Sequence, residues 1–280
     1  GRTHLQDAVP MSLGQEFHGW GTTMGEEVQR IAEVRQFLHE INLGATAIGT
    51  TVTAAPGYPE LATKYLTELT GFKFILAGDL IEATSDTGAY VLLSGVLKRT
   101  SSKLTKICND IRLLASGPRC GFNEINLPQM QPGSSIMPGK VNPVIPEAVA
   151  MVAAQVIGND TTVTVAGQSG NFELNVMLPL IARNLLESID LLGNGARLLA
   201  DRAIAGMQVN DAHLRKALLL NPVLATALNP QVGYLRAAEI ARRAASEGRA
   251  VIDVALEMTD LDRDQLQALL DPEHLTRGGL

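Results

Sequence analysis

The pattern of apolar and polar residues opens with one long helical stripe. From Leu13 to Ile41, apolar residues recur at steps of three or four, the period of one face of a single helix of about 28 residues. The stripe crosses a capping-box sequence at Thr23-x-x-Glu26 without a change of phase, so we predict that no helix starts there. A stripe of this length needs a partner helix of similar length to cover it. The pattern therefore predicts a bundle of long helices.

Helical periodicity returns over 59–70, 78–116 and 146–200, and turns containing glycine or proline separate these runs. The segment 147–157 is apolar on nearly every side, which is typical of a helix that is packed all round. The threonines and valines at 161–165 favour a strand locally, but the helical pattern on both sides predicts helix. We predict an all-α protein whose central helices lie at the centre of a larger assembly.

Shorter helical units follow the long runs, at 231–247, 249–258 and 259–270. Each unit has its own capping residue or glycine stop, which is typical of a small separate helical layer. We therefore predict a central helical-bundle domain over 1–210 and a small C-terminal helical domain over 211–280.

Composition and charge argue against several classes of partner. The net charge is −6 and the basic residues are scattered, so we expect no nucleic-acid partner. The longest apolar stretch, 148–157, is shorter than the roughly 20 residues of a membrane span, so we expect no membrane partner. The two cysteines form no CxxC or Cys/His cluster, which argues against a disulfide framework or a zinc site. A cytoplasmic protein without a metal or cofactor is the expectation.

One segment, GSSIMPGKVNP at 133–143, does not fit the building of a helical core. Small residues such as Gly133, Ser134, Ser135 and Gly139 allow backbone N–H groups and hydroxyls to approach a ligand closely. Serine, glycine and proline also populate ordinary connecting turns. On the residues alone, a binding loop and a plain connector are both open.

This segment closely resembles the signature of the aspartase/fumarase superfamily, whose members eliminate a group from a succinyl-type substrate to leave fumarate. The resemblance extends along the chain, and the segments that carry it are GRTHLQDAVPMSLGQEF (1–17), LGATAIGT (43–50), KICNDIRLLASGPR (106–119), NEINLP (123–128), VIGNDTTVT (156–164), GNFELNVMLPLI (170–181) and ALNPQVGY (227–234). LGATAIGT, NEINLP, VNPVIPE and GNDTTVT are more similar to aspartate ammonia-lyase, whereas SGNFELNV is as similar to fumarase.

The resemblance implies reversible elimination of ammonia from L-aspartate to give fumarate, through an enediolate stabilised at the side-chain carboxylate. It implies that Ser134 is the general base, that Lys140 and Asn142 bind a substrate carboxylate, and that Ser135 contributes a hydroxyl or backbone N–H. Fumarase, which adds water through the same intermediate, is the alternative enzyme. A catalytically incomplete oligomeric scaffold is the alternative without activity.

The resemblance also implies a homotetramer whose active sites are shared between subunits. His4, beside Thr3 in the GRTH sequence, is expected to meet Glu147 across a subunit boundary and to orient substrate or water. From the residues alone, His4 is equally an exposed histidine near a chain start. Glu147 after Pro146 equally suits the first turn of a helix, whatever its function.

Two departures from the family pattern limit these expectations. Where the family usually continues Gly-Leu-Asn after TAIGT, this chain has Thr51-Val52-Thr53, which removes an amide near the expected substrate region. The chain also begins where the second half of the family begins, so we expect that it lacks the N-terminal domain and part of the pocket.

Overall fold

The computed structural model describes residues 1–278, and helices dominate this part of the chain. In chain order the α-helices are α1 (Leu13–Val34), α2 (Thr46–Gly49), α3 (Tyr58–Thr70), α4 (Glu82–Ser85), α5 (Gly88–Leu114), α6 (Val144–Gly167), α7 (Leu178–Leu199), α8 (Asp211–Leu219), α9 (Asn229–Val232), α10 (Tyr234–Glu247), α11 (Val251–Met258), α12 (Arg263–Leu269) and α13 (Pro272–Leu275). The prediction of an all-α, long-helix protein with a small helical C-terminal part is confirmed.

Short stretches of other backbone structure connect these helices. Helical segments of 3₁₀ type cover Arg35–His39 and Pro222–Leu228, and a π-type turn covers Ala200–Ile204. The strands form two-residue pairs: β1 (Arg2–Thr3) with β2 (Gln6–Asp7) antiparallel, β3 (Glu40–Ile41) with β4 (Ile75–Leu76) parallel, and β5 (Ile125–Asn126) with β6 (Gln208–Val209) antiparallel.

The first long helix is shorter than the sequence pattern predicts. It ends at Val34, after which the chain turns into the 3₁₀ segment and then into β3, so the helix does not reach Ile41. The reason is pairing with a distant segment, because Ile41 aligns with Leu76 and its carbonyl accepts a hydrogen bond from the Ala77 N–H at 2.9 Å. A 3₁₀ segment repeats every three residues, which continues the apolar stripe without an α-helix.

The start of α1 is a capping box that the sequence pattern did not identify. The Gln15 N–H donates to Ser12 Oγ at 3.0 Å, and the Ser12 N–H donates to Gln15 Oε1 at 2.9 Å. Thr23 and Glu26 lie inside α1, which confirms that their capping-box sequence starts no helix.

The helical run predicted over 146–200 consists of two helices, α6 and α7, with a break between them. Asn175 fixes this break: its buried amide donates to the carbonyls of Ala166 at 3.0 Å and Gly167 at 3.1 Å, at the end of α6. Its side-chain oxygen accepts from the Met177 N–H at 2.9 Å, just before α7. The threonines and valines at 161–165 lie inside α6, as predicted.

The described chain forms two compact units. One consists of residues 22–113 and 127–207, and we call it the bundle unit. The other consists of residues 1–21, 114–126 and the chain from Gln208 onward, and we call it the terminal unit. The domain division predicted from sequence, 1–210 and 211–280, stays a prediction.

In the bundle unit, α6 and α7 pack along each other, and buried polar contacts tie α6 to its neighbours. Asp160 on α6 accepts hydrogen bonds from Ser94 Oγ at 2.8 Å and from Lys98 Nζ at 2.5 Å, both on α5. Asn159 donates to Ser188 Oγ on α7 at 3.1 Å. Because a buried polar group without a partner is costly, these pairs favour one register of the three helices.

By length and composition alone, α6 is apolar enough to cross a membrane. The core helices of soluble proteins also pass this test, and the polar pair Asn159 and Asp160 is buried against other helices of the bundle unit. We therefore interpret α6 as a bundle helix. Its exposed surface nevertheless carries large apolar side chains, with Met151 71% exposed.

The terminal unit has its own apolar core, formed by the 3₁₀ segment at Pro222–Leu228 with α10, α11 and α12. Leu228, Ile240, Val254 and Leu266 are fully buried there. This core explains why the short helices after residue 220 are stable, because each one covers an apolar face of another.

Candidate functional site

The GSSIMPGKVNP segment forms a loop between β5 and α6 whose two ends meet. Asn142 Nδ2 donates to the Gly133 carbonyl at 2.9 Å, which closes the loop. Gly133 also lies against the backbone of Lys140, so closely that a β-carbon on residue 133 would be 2.0 Å from the Lys140 carbonyl oxygen. Only glycine fits this approach of two backbone segments.

A tight turn forms the far end of this loop. The Lys140 N–H donates to the Met137 carbonyl at 3.3 Å, and Pro138 and Gly139 occupy the central positions. Gly139 has a φ of +82°, which matches the third position of a type II turn. The turn fixes where the Lys140 side chain leaves the loop.

Within the loop, the hydroxyl of Ser134 receives two backbone hydrogen bonds. The N–H groups of Ile136 and Met137 both donate to Ser134 Oγ at 3.2 Å. Two N–H dipoles aimed at one oxygen stabilise negative charge on that oxygen. The local backbone therefore aims two donors at the Ser134 hydroxyl.

The other predicted loop residues differ in exposure. Ser135 and Lys140 are exposed, whereas Asn142 is half-buried at the point of closure. The apolar side chains of the loop point outward, with Ile136 82% exposed and Met137 48% exposed. A loop that exposes such side chains beside a polar centre is typical of a segment that closes against something else.

Glu147 lies in the first turn of α6, directly after the buried Pro146. Its Oε1 is 3.8 Å from Nη2 of Arg112, in the last turn of α5. Both side chains are more than a third exposed, so this pair contributes little to stability, about 1 kcal/mol or less. Sequence reasoning did not select Arg112, although it lies in the KICNDIRLLASGPR stretch that carries the family resemblance.

Thr3 and His4 lie in a β-hairpin at the start of the terminal unit. Thr3 pairs with Gln6, and His4 and Leu5 form the connecting turn with φ values of +54° and +59°. Two successive left-handed residues make a type I′ turn, the geometry that suits a two-residue hairpin. His4 is therefore exposed at the tip of the hairpin.

Arg2 links this hairpin to the NEINLP segment. Its guanidinium donates through Nη1 to Glu124 Oε2 at 3.2 Å and through Nη2 to Glu124 Oε1, and it lies 4.3 Å from the centre of the Phe122 ring. Hydrogen bonding to Glu124 raises the pKa of the Arg2 guanidinium above its ordinary value. Sequence reasoning did not select Arg2 or Glu124, although both stand in segments that carry the resemblance.

The structure thus groups five of the seven predicted site residues in the bundle unit, and these are Ser134, Ser135, Lys140, Asn142 and Glu147. Thr3 and His4 belong to the terminal unit. The pairing of His4 with Glu147 stays a prediction. Within residues 1–278, the His, Cys, Asp and Glu side chains form no group of three that could hold a metal ion.

The segment after LGATAIGT is strained where it departs from the family pattern. Thr51 and Thr53 have φ values of +56° and +67°, a left-handed region that β-branched residues rarely adopt. These are the positions where the family usually has glycine and asparagine, which tolerate this region. The Thr51 N–H donates to the Ala45 carbonyl at 2.9 Å, and Thr46 Oγ1 donates to the Val52 carbonyl at 2.7 Å, so the turn is held in place.

Comparison with known proteins identifies the family. A family model described as a lyase matches residues 1–158, and one described as the fumarase C C-terminus matches residues 224–277. The chain belongs to the aspartase/fumarase lyase family. In the crystal structure of fumarate lyase:delta crystallin from Brucella melitensis bound to cobalt, the matching part has a TM-score of 0.95 and 50% identity, and it covers 99% of this chain and 60% of that one.

Relatives in this lyase family carry two different activities in their names. Fumarate hydratase class II 2 of Pseudomonas aeruginosa is 55% identical over 280 residues, which is 100% of this chain and 61% of that protein. Aspartate ammonia-lyase of Pseudomonas fluorescens is 54% identical over 276 residues, which is 98% of this chain and 58% of that protein. The chain therefore spans about 60% of the length of the relatives that it matches.

Proposed function

We propose that the complete natural polypeptide that carries these residues is a lyase that reversibly eliminates ammonia from L-aspartate to give fumarate. The observation that supports this most directly is the pair of backbone N–H groups that donate to Ser134 Oγ. A neutral hydroxyl is a poor base and its alkoxide is costly to form, and two N–H donors aimed at the oxygen lower that cost.

The chemical demand is the removal of a proton beside a carboxylate, followed by loss of ammonia from the neighbouring carbon. As its alkoxide, Ser134 takes the proton and becomes a neutral hydroxyl, and the electron pair left on carbon spreads into the carboxylate as an enediolate. Stabilising that extra negative charge is the largest part of the task. The Lys140 ammonium and the Asn142 amide are the groups in this loop that suit it, with the Ser135 hydroxyl as a further donor.

Asn142 has a double role in this proposal. One of its amide hydrogens is committed to the Gly133 carbonyl at 2.9 Å, where it holds the loop closed. An amide nitrogen carries a second hydrogen, which remains for a substrate carboxylate. Loop closure and substrate binding therefore depend on the same side chain.

We assign Thr3, His4 and Glu147 to the same site, with Thr3 as a substrate-binding residue and His4 with Glu147 as a couple that orients substrate or water. In this assignment the couple joins residues of different subunits. Every step uses side chains or backbone groups of the protein, so the proposal requires no metal or cofactor.

We infer a cytoplasmic homotetramer as the working form. The outer faces of α6 and α7 support this, because Met151 is 71% exposed and Leu186 is 63% exposed. Large apolar faces of this kind on long helices are typically covered by the same helices of further copies. Active sites shared between subunits follow from such an arrangement.

Fumarase is the second candidate, and one observation favours it: the 55% identity over the whole chain with a class II fumarate hydratase. The enediolate and the roles of Ser134, Lys140 and Asn142 are the same in both reactions. What differs is the group that leaves, ammonia or water. By their resemblance to aspartate ammonia-lyase, the LGATAIGT, NEINLP, VNPVIPE and GNDTTVT segments favour ammonia.

The test offers fumarate with ammonium ions to the purified polypeptide and identifies the product by chromatography. Formation of aspartate supports the ammonia-lyase. Formation of malate contradicts it and supports the fumarase. If a folded, oligomeric protein forms neither product, the result favours a scaffold without activity.

The Ser134→Ala variant tests the assignment of the base. We expect kcat to fall by about 10²-fold to 10⁴-fold, the usual contribution of a positioned base, while the oligomeric state stays the same. Ser246→Ala is the matched control, because Ser246 is an exposed serine at the end of α10 whose hydroxyl donates to the nearby Arg243 carbonyl at 3.1 Å. An unchanged rate in Ser134→Ala contradicts the assignment.

A further inference from the structure

The hairpin that carries His4 has little of its own to hold it in place. Residues 1–7 are exposed, and β1 and β2 contain only two residues each. A two-stranded hairpin is marginally stable by itself. The position of His4 therefore depends on how side chains of the hairpin contact the rest of the terminal unit.

Arg2 supplies such a contact close to the turn. It binds both carboxylate oxygens of Glu124 and lies against the Phe122 ring, so its guanidinium is fixed in position and in plane. At about 3.3 Å per strand residue, the backbone of Arg2 is within about 7 Å of the backbone of His4. At the base of the hairpin, Asn221 Nδ2 donates to the Ala8 carbonyl at 3.0 Å.

Glu124 is a firm attachment point because its own backbone is bonded on both sides. Its N–H donates to the Leu114 carbonyl at 2.9 Å, its carbonyl accepts from the Asn210 N–H at 2.9 Å, and β5 follows directly. Only 8% of Glu124 is exposed. A buried carboxylate needs its charge partner, so the Arg2 side chain is held tightly.

We propose that Arg2 and Glu124 form a clamp that positions the His4 turn for the elimination reaction. This inference rests on the proposed function, because it places His4 in the active site. Arg2 and Glu124 are positioning residues in this inference, since they act through His4 and not on the substrate. It also gives a reason for the arginine of GRTH and the glutamate of NEINLP, which the proposed chemistry does not use.

The first test is whether Arg2 acts through His4. We expect Arg2→Met to lower kcat/KM by about 10-fold to 100-fold, the scale of a misplacement near 1 Å. In a His4→Ala background, the same Arg2→Met change is expected to have no further effect, because the residue that it positions is gone. A purely structural role of Arg2 gives the same loss in both backgrounds, and that result overturns the clamp.

Matched variants separate the clamp from loss of folding. Arg2→Lys keeps the charge but loses the two-pronged contact and the flat stacking, so an intermediate loss is expected. The Arg2→Met/Glu124→Met double variant removes the buried charge along with its partner, and its kcat/KM is expected to match that of Arg2→Met alone. Arg215→Met is the control, because Arg215 makes an exposed ion pair with Asp211 at 2.7 Å within α8; its kinetics should equal those of the natural protein.

A second readout does not depend on enzyme activity. The ¹H–¹⁵N heteronuclear NOE of the His4 and Leu5 amides reports the order of the turn, and we expect it to fall in Arg2→Met and to stay unchanged in Arg215→Met. If it does not fall, the clamp is wrong, whatever the kinetics show. If the natural protein has no lyase activity, the proposed function fails and the positioning role with it, while the NOE still decides whether Arg2 orders the turn.

Discussion

Replacing Gly133 by alanine tests whether closure of the GSSIMPGKVNP loop sets the position of Ser134, the proposed base. The added methyl carbon would lie 2.0 Å from the Lys140 carbonyl oxygen, whereas ordinary contacts begin at 3.4 Å. The two backbone segments must therefore separate by about 1.4 Å, the difference between these distances. A separation of that size breaks the 2.9 Å hydrogen bond between Asn142 Nδ2 and the Gly133 carbonyl.

We expect Gly133→Ala to lower kcat/KM by about 100-fold, because displacements near 1 Å at an active site have effects on this scale. The free energy of unfolding should change by about 1 kcal/mol or less, since the loop is mostly exposed. The rate is followed by the ultraviolet absorbance of fumarate, and stability by urea denaturation.

Gly78→Ala is the matched control for this variant. Gly78 is also a loop glycine whose φ is not in the left-handed region. Among residues 1–278, no heavy atom beyond Gly78 itself and its two chain neighbours lies within 4 Å of the added methyl group. Natural activity in Gly78→Ala with a loss in Gly133→Ala shows that the closure matters. Natural kcat/KM in a folded Gly133→Ala protein refutes the reasoning, because the loop would then function without closing.

Three further predictions concern strain, thiol reactivity and pH. Thr51→Gly should raise the free energy of unfolding by about 1 kcal/mol in urea denaturation, because relief of left-handed strain exceeds the added chain entropy of glycine; a loss of stability contradicts this. Burial raises the pKa of the Cys108 thiol to about 11, so a thiol titration at pH 7 should modify exposed Cys120 alone and reach Cys108 only after unfolding. Hydrogen bonding to Arg249 lowers the pKa of Glu257 below 4.5, so its stabilisation is present above pH 4.5 and is lost as the pH falls through the lower folded value. Glu257→Gln should therefore lower the melting temperature at pH 7, and the two proteins should melt at the same temperature in acid. A difference in melting temperature that does not change with pH would contradict the ion pair.

The apolar pattern predicted the helices correctly where packing along one helix face determines the structure. It failed where pairing with a distant segment determines where a helix ends. The region around α5 and α6 follows the 3.6-residue period, including the β-branched run at 161–165. The end of α1 does not, because Ile41 pairs with Leu76 through a contact that no local window contains. At the break after α6, the Asn175 side chain bonds the Ala166 and Gly167 carbonyls, and an apolar periodicity does not record such a contact.

At the candidate site, sequence identified the loop and its residue types, but not the contacts that give them a role. The motif pointed to Ser134, and only the backbone path shows that the Ile136 and Met137 N–H groups converge on its hydroxyl. Two ion pairs near the other predicted residues join positions that lie far apart in the sequence. Arg112 beside Glu147 and Glu124 beside Arg2 are contacts made by folding, so a pattern in one segment could not predict them.

The hydrogen bonds of the GSSIMPGKVNP loop are made within the loop itself. The donors to Ser134 Oγ come from residues two and three positions later in the same loop, and the closing bond joins Gly133 to Asn142 in the same loop. A loop built in this way keeps Ser134 Oγ and its donors together when it moves as a unit. On the proposed function, activity then depends on where the loop lies against the substrate as well as on its internal closure. On the proposed function, the exposed side chains of Ile136 and Met137 are the surface by which this loop docks against the rest of the site, so changes to them should raise KM more than they lower kcat.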